Sequence, residues 1–158
     1  MTVLAQRAES HDGEALRFVT ALPPLVAFAR AVGHLMIRPA FANAAFGHIA
    51  RGLAGQVNRG HYAFVHRDEA IVGFAGWAFA TEDAAEAWLA AERGLDGAEA
   101  ATGDCLVVNF WQADGAEVSR FLVARLAEAL PGKRRLYAKR HYPDGRTRPL
   151  RLDIAARA

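Results

Sequence analysis

Side chains capable of acid–base or metal chemistry are scattered along this sequence and form no familiar motif. The six histidines are spread through the chain, and no two of them stand three or four residues apart, the spacing of a helical metal-binding pair. The single cysteine, Cys105, excludes an intrachain disulfide framework and a cysteine-rich zinc site. It precedes the apolar run Leu106 to Val108, which predicts a small buried hydrophobe. Phosphate-loop, dinucleotide-binding, nucleophile-elbow and HExxH motifs are absent. Because of the histidine spacing and the single cysteine, no metal site is predicted.

Three polar residues remain as candidates because of where they stand. Asn109 interrupts an otherwise apolar strand, and a polar side chain there needs a hydrogen-bond partner. Arg38-Pro39 is predicted to separate two helices, because the residue before a proline disfavours the helical conformation. His34 lies on the helix before this break and His48 on the helix after it. Each histidine is either a packing or surface residue or a general base. Asn109 is either a site residue or a side chain satisfied by a neighbouring loop.

The elements that would position these residues follow from hydrophobic periodicity and turn residues. Helices are predicted over residues 14–21, 25–36, 40–55 and 116–130, and strands over residues 61–67, 70–80, 104–112, 134–142 and 147–154. Thr81 is predicted to cap a further helix in which Trp88 and Leu89 are buried. Two hairpins with intervening helices indicate an α+β fold with a central, mostly antiparallel twisted sheet flanked by helices. The length of 158 residues fits a single domain, residues 1–158, whose residues 1–12 are expected to be loose.

The formal charge of +2 is unevenly distributed. Residues 1–132 carry 10 basic and 15 acidic side chains, whereas residues 133–158 carry 9 basic and 2 acidic ones. This basic segment indicates either an anionic partner or an exposed edge strand whose Lys and Arg prevent aggregation. Nucleic acid is the least favoured partner, because few aromatic residues are interleaved with the basic run.

The sequence shows no sign of export or of a membrane span. No apolar run approaches the roughly 20 residues that a spanning helix needs. The N-terminal apolar stretch is short and is followed by acidic residues, unlike a signal peptide. A cytoplasmic location is therefore expected.

Four segments carry a family resemblance when they are taken in order. They are Leu35 to Pro39, His61 to Phe79, Gly103 to Gly115, and Phe121 to Arg146 with its Pro131-Gly132-Lys133 and Pro143-Asp144-Gly145-Arg146 turns. From about Gly33 to Arg148 their order and spacing resemble the toxin-activating lysine acyltransferases. These hemolysin-activating enzymes transfer a fatty acyl group from acyl carrier protein to lysines of repeat-in-toxin proteins.

The resemblance implies a fold similar to that of the Gcn5-related acyltransferases, in which a central sheet splits and holds an acyl-pantetheine thioester in the gap. The residues expected along a groove for the fatty chain are Gly73, Gly76, Trp77 and Trp111. The acidic acyl carrier protein is expected to dock on Arg134, Arg135, Lys139 and Arg140, because complementary charge speeds and orients association. No cofactor would be bound permanently, since the donor acyl-phosphopantetheine arrives on the carrier protein.

The family's functional histidine and aspartate correspond here to Phe41 and Asn109. Phenylalanine cannot transfer a proton, and asparagine can orient an amine or a carbonyl but supplies no negative charge. His48, two helical turns after Phe41 on nearly the same face, or His34, just before the break, is expected to act as the general base instead. Such a group is typically worth about 10²–10⁴-fold in rate.

Two functions follow as hypotheses. The first is an acyltransferase that moves a fatty acyl group from acyl carrier protein to a lysine of a protein or peptide client. The second is a catalytically impaired relative that binds the carrier protein or a client without turnover, which Phe41 and Asn109 favour. A homodimer is left open.

Overall fold

Six strands pair into one sheet in the order β1-β2-β3-β4-β5-β6. The structure, a computed structural model, describes residues 15–142 and 144–155. The strands are β1 (Leu16–Val19), β2 (Tyr62–Arg67), β3 (Ala70–Ala80), β4 (Cys105–Ala113), β5 (Arg135–His141) and β6 (Thr147–Asp153). The helices are α1 (Pro24–Leu35), α2 (Pro39–Ala42), α3 (Phe46–Arg59), α4 (Glu82–Leu89) and α5 (Ala116–Ala129). Among the described strands, β4 and β5 alone pair in parallel, which confirms the predicted α+β class with a mostly antiparallel sheet.

Local sequence signals set the ends of several helices. Pro24 occupies the first position of α1, where its missing N–H costs nothing and its fixed φ suits a helix. Thr81 caps α4 as predicted, since its hydroxyl oxygen accepts a hydrogen bond from the Ala84 N–H at 3.3 Å. Helix α3 ends at Gly60, whose φ of 71° is left-handed and favours glycine.

Helices cover both faces of the sheet. Helix α5 buries Val118, Leu122 and Leu126 against one face. Helices α1 and α3 pack on the other face through residues such as Leu35 and Leu53, and α4 extends that layer. Apolar burial of this kind stabilises the fold by about 25 cal/mol per Å² removed from water.

Three local predictions were wrong. Residues 16–19 form strand β1 instead of a helix, because Leu16 to Val19 pair antiparallel with β2 at the sheet edge. The helix expected over residues 40–55 is two helices, since the chain breaks at Asn43 and Ala45 is extended. Trp88 is only partly buried, whereas the sequence predicted it to be buried.

The loose segment predicted over residues 1–12 lies outside the described residues. Among the described residues, none of the helices is both long and apolar enough to cross a bilayer.

The sheet splits between its two parallel strands. Residues Cys105 to Val108 of β4 pair with Arg135 to Ala138 of β5, and the pairing ends there. Beyond this point β4 stays paired with β3, and β5 stays paired with β6. A divergence between the central strands, which the resemblance implied, is therefore present beside residue 109.

Candidate functional site

Asn109 is the extra residue of a β-bulge in β4. Gly76 of β3 lies opposite Phe110 and Trp77 lies opposite Val108, so Asn109 has no partner in this ladder. A bulge re-aims a side chain and bends the strand that carries it. Asn109 also directly follows the last residue that pairs with β5. It is exposed although the residues on either side of it are buried.

Gln56 of α3 orients the Asn109 amide. Its side chain is 1% exposed, and its Nε2 donates a hydrogen bond to Oδ1 of Asn109. The close approach depends on Gly76, because a Cβ there would lie 2.8 Å from Cδ of Gln56. With its oxygen engaged, the Asn109 amide keeps its Nδ2 donors for a ligand. Oε1 of Gln56 is buried against Gly76 and has no hydrogen-bond partner within the described chain.

Both amides line a cavity of about 330 Å³ over the face of the sheet that carries α3 and α4. One wall is the side of α3 that faces Asn109. The opposite wall is the loop after α4, which contains Gly94, Asp96 and Gly97, together with Trp88. Ala78, Asn109 and Phe110 contribute from the sheet. A concave pocket with a few convergent polar groups is the usual form of a small-molecule site.

The charged side chains that line the cavity are mostly basic. Arg51 and Arg59 lie on the α3 wall with His48, and among the described residues the one lining carboxylate belongs to Asp96. Oδ1 of Asp96 already accepts a hydrogen bond from the Glu99 N–H at 2.7 Å. The cavity is therefore positively charged when its arginines are counted against its single acid.

The two candidate histidines are placed in different surroundings. His48 is exposed and lines the cavity. It stands eight residues before Gln56, about 12 Å along the helix axis. His34 is 7% exposed and its Nε2 is hydrogen-bonded to Oε1 of Gln112, further along β4 and outside the cavity lining. Burial lowers the pKa of His34, so it is neutral at pH 7 and braces α1 against β4.

Phe41 lies beside the site without lining it. Its ring stacks on that of Phe110 with centroids 6.0 Å apart, and Phe110 is a cavity residue. The position that the resemblance assigns to a histidine is therefore next to Asn109 but filled by an apolar contact. A proton-transferring group is missing at this place.

None of the four residues expected along the acyl groove lines the cavity. Gly76 lies beneath Gln56, and a Cβ on Gly73 would lie 2.8 Å from Cγ1 of Val118 in α5. Trp77 and Trp111 pack with the α5 face, where Nε1 of Trp111 donates to the Ser119 hydroxyl at 3.3 Å. A contact between these residues and an acyl chain stays a prediction; for Gly73, Trp77 and Trp111 it would have to be made on the α5 side of the sheet.

Two of the four residues expected to bind a carrier protein are already paired. Arg134 contacts Glu82 and Asp104, both at 2.6 Å. Arg135 contacts the same Glu82 at 3.1 Å and Asp153 at 2.9 Å. These acids neutralise both guanidinium groups, which leaves less charge for an anionic partner than the sequence indicated.

The other two carrier-binding candidates pack against aromatic rings. Nζ of Lys139 lies 4.3 Å from the centre of the Trp88 ring, and burial lowers the pKa of its amine. Arg140 is exposed and lies over Tyr142 at 5.1 Å. Lys139 thus borders the divergence of β4 and β5, while Arg140 faces solvent on the edge hairpin.

The architecture has counterparts among solved structures. A GNAT-family acetyltransferase from Bacillus cereus ATCC 10987 is similar with a TM-score of 0.53 at 10% identity, over 82% of this chain and 74% of that one. The chain has a GNAT-like fold. The loading GNATL domain of CurA from Lyngbya majuscula has a TM-score of 0.46 at 12% identity, over 82% of this chain and 68% of its own. The GphF GNAT-like decarboxylase in complex with isobutyryl-CoA has a TM-score of 0.49 at 19% identity, over 82% of this chain and 67% of its own.

At these identities the likeness concerns the fold, which confirms that part of the resemblance. A scan against protein-family models and a search of curated proteins found no match. Membership of the toxin-activating group therefore stays a prediction. Activity has to be inferred from the site itself.

Sequence reasoning missed Gln56 and the two arginines of the α3 wall. A signal for the arginines was present, because Gly47 precedes Arg51 by four residues and Gly55 precedes Arg59 by the same interval. In a helix this spacing lays each arginine over its glycine.

Across residues 15–142 and 144–155, no group of three or more His, Cys, Asp or Glu side chains could hold a metal ion.

Proposed function

We propose that this protein is an acyltransferase that moves an acyl group from a phosphopantetheine thioester to an amine. The observation that carries the proposal is the Asn109 amide, which is held by Gln56 in a cavity at the point where β4 leaves β5. A split between parallel strands leaves room for an extended pantetheine arm. The GNAT-like fold is compatible with this chemistry, although it does not by itself specify a reaction.

In the proposed reaction, the amine nitrogen attacks the thioester carbonyl carbon and a C–N bond forms. The carbonyl oxygen becomes an oxyanion, to which the Asn109 Nδ2 group donates a hydrogen bond. Collapse of this intermediate breaks the C–S bond, and the proton lost by the amine ends on the departing thiol. One well-placed donor to an oxyanion is typically worth about 10²–10³-fold in rate.

His48 is the proposed general base, because it is the histidine that lines the cavity. It would accept the amine proton and return it to the leaving thiolate. Its distance from Gln56 along α3, about 12 Å from the helical rise, implies that the substrate or a bridging water spans the gap. His34 is not part of this scheme, since its Nε2 is engaged by Gln112.

An acyl carrier protein is the proposed donor, carrying a fatty acyl chain on its phosphopantetheine. Exposed basic side chains that form no ion pair within the described residues are present on the β5–β6 hairpin, where Arg140 and Arg148 face each other across the ladder, and we propose that the acidic carrier docks there. Like charges directly opposite each other destabilise a hairpin, and an anionic partner would relieve that repulsion. The acceptor that the resemblance supplies is a lysine of a protein or peptide client.

A non-catalytic binder is the second candidate function. The stacking of Phe41 on Phe110 favours it, because this contact occupies the place where the resemblance puts the family's histidine. Such a protein would bind the loaded carrier or a client through the same cavity and the same hairpin, without releasing a thiol.

The test is a thiol-release assay with acyl carrier protein charged with a labelled fatty chain. Asn109→Ala is expected to lower the rate of acyl transfer by about 10²–10³-fold. Asn58→Ala, which removes an exposed amide at the end of α3, is the matched control and should keep the rate. Full activity in Asn109→Ala would refute the assigned role, and carrier binding without thiol release would favour the second candidate.

A further inference from the structure

We propose that Arg51 and Arg59 make the cavity a binding site for an anionic molecule, whose carboxylate or phosphate contacts one of the two guanidinium groups while the other adds to the positive charge of the cavity. The inference deepens the proposed function and rests on it for the identity of that molecule as a reactant. It specifies the charge of the substrate, which neither the fold nor the position of Asn109 determines.

The two arginines are built into one wall by a repeated local arrangement. A Cβ on Gly47 would lie 3.2 Å from Nη1 of Arg51, and a Cβ on Gly55 would lie 3.1 Å from Nη1 of Arg59. Each guanidinium therefore lies next to the glycine one turn earlier in α3. Their spacing of eight residues puts the two groups about 12 Å apart along the axis and on the same side of the helix.

Neither arginine has an internal counter-ion within the part of the chain that the structure describes. The arginines that do pair with a carboxylate are Arg38, Arg67, Arg93, Arg125, Arg134, Arg135, Arg146 and Arg151. Nε of Arg59 is in addition buried, with no hydrogen-bond partner there. Arg51 is exposed and Arg59 is partly buried. An arginine that lines a cavity without a counter-ion presents N–H donors to a ligand, and its fork matches carboxylate and phosphate.

The charge of the cavity also bears on the acceptor. Two guanidinium groups stand against the single carboxylate of Asp96, so a protonated lysine side chain is repelled where an anionic molecule is attracted. Two reactants carry a suitable anion, namely an acceptor amine that also bears a carboxylate, and the phosphate of the phosphopantetheine donor. Both present the same chemistry to the arginines, and the experiment separates them.

The test measures binding by calorimetry with two matched pairs of probes. The acceptor pair is 6-aminohexanoate and hexylamine, and the donor pair is S-octanoyl-4′-phosphopantetheine and S-octanoylpantetheine. In at least one pair the anionic member is expected to bind the unaltered protein roughly 10- to 100-fold more tightly. The pair that shows the preference identifies the source of the anion. If the acceptor pair shows the preference, Nα-acetyl-lysine amide, a cationic amine, is expected to bind more weakly than 6-aminohexanoate.

The variants locate the effect. Arg51→Gln combined with Arg59→Gln should abolish the preference, and the corresponding lysine replacements should keep part of it, because charge remains without the planar fork. Arg30→Gln, on the exposed side of α1 and away from the cavity, should leave it intact. The proposal is overturned if neither pair shows a preference or if the glutamine double variant keeps it. Because binding needs no turnover, a preserved preference without acyl transfer would defeat only the proposed reaction.

Discussion

The fit between Gly76 and Gln56 gives the sharpest test of the site's geometry. In Gly76→Ala the new methyl carbon would lie 2.8 Å from Cδ of Gln56 and against its Oε1. Gln56 is 1% exposed, so its amide has little space into which it could move. Overpacking of this kind typically costs about 1–3 kcal/mol, and we expect Gly76→Ala to lower the free energy of unfolding by that amount.

A second substitution should relieve the cost. Gln56→Ala alone leaves a void, but in the double variant the methyl group introduced at position 76 would occupy part of it. The two changes are therefore expected to be non-additive, with a favourable coupling of about 1–2 kcal/mol, within the range found for residues in direct contact. Urea unfolding of all four proteins, followed by far-UV circular dichroism, measures this coupling.

Gly33→Ala is the control for the same chemical change. Gly33 is exposed on α1 and has no atom within 4 Å of the position of a Cβ. Alanine in an open helical position stabilises by about 0.5–1 kcal/mol, so the control should move in the opposite direction. The geometry described for the site is refuted if Gly76→Ala behaves like this control, or if the changes at positions 56 and 76 simply add.

Two further predictions concern titratable groups. Burial, together with the charges of Arg59 and Lys133, lowers the pKa of His61 to about 4 in the folded protein. The neutral form of His61 therefore stabilises the fold fully above the pKa of the unfolded chain, near 6.5, and this stabilisation is lost as the pH falls from 6.5 toward 4. After allowance for the partial exposure of this histidine, the free energy of unfolding measured by urea titration should fall by about 1–2 kcal/mol between pH 7 and pH 4.5. His61→Phe should reduce that fall, and an equal fall in the variant would contradict the assignment. The Cys105 thiol is fully buried, and burial, reinforced by Asp104, raises its pKa to about 11. Ellman's reagent at pH 8 should therefore label it no faster than the protein unfolds, and immediate labelling of the native protein would show that the thiol is accessible.

Different basic residues are assigned to the two parts of the acyl-transfer proposal, namely the docking of the donor carrier protein and the binding of a reactant in the cavity. The hairpin charges at Arg140 and Arg148 concern the docking of a carrier protein on the outside of the sheet. Arg51 and Arg59 concern the molecule inside the cavity, and their charge counts against a lysine side chain entering there. The acceptor assigned by resemblance and the acceptor favoured by the cavity therefore differ, and the paired probes distinguish them before any client has been identified.

The sequence by itself determined the hairpin of β2 and β3, helix α5 and the cap at Thr81. These features depend on local signals, namely alternation or helical periodicity of apolar residues and a side chain that can satisfy a free N–H. The sequence also singled out Asn109, because an amide in an apolar strand is conspicuous on the same local grounds. Residues 16–19 were misassigned, since an edge strand of four residues is stabilised by its pairing with β2 and not by a pattern of its own.

Tertiary structure alone decided how the candidate site is assembled. Gln56 and Asn109 are far apart in the chain, and only the packing of α3 over the bulge brings their amides together. Composition likewise could not tell which arginines are free: Arg134 is neutralised by Glu82 and Asp104, whereas Arg51 remains available to a ligand. Hydrogen bonds and ion pairs depend on distances of a few ångströms between segments that are remote in sequence, and no local periodicity specifies those distances.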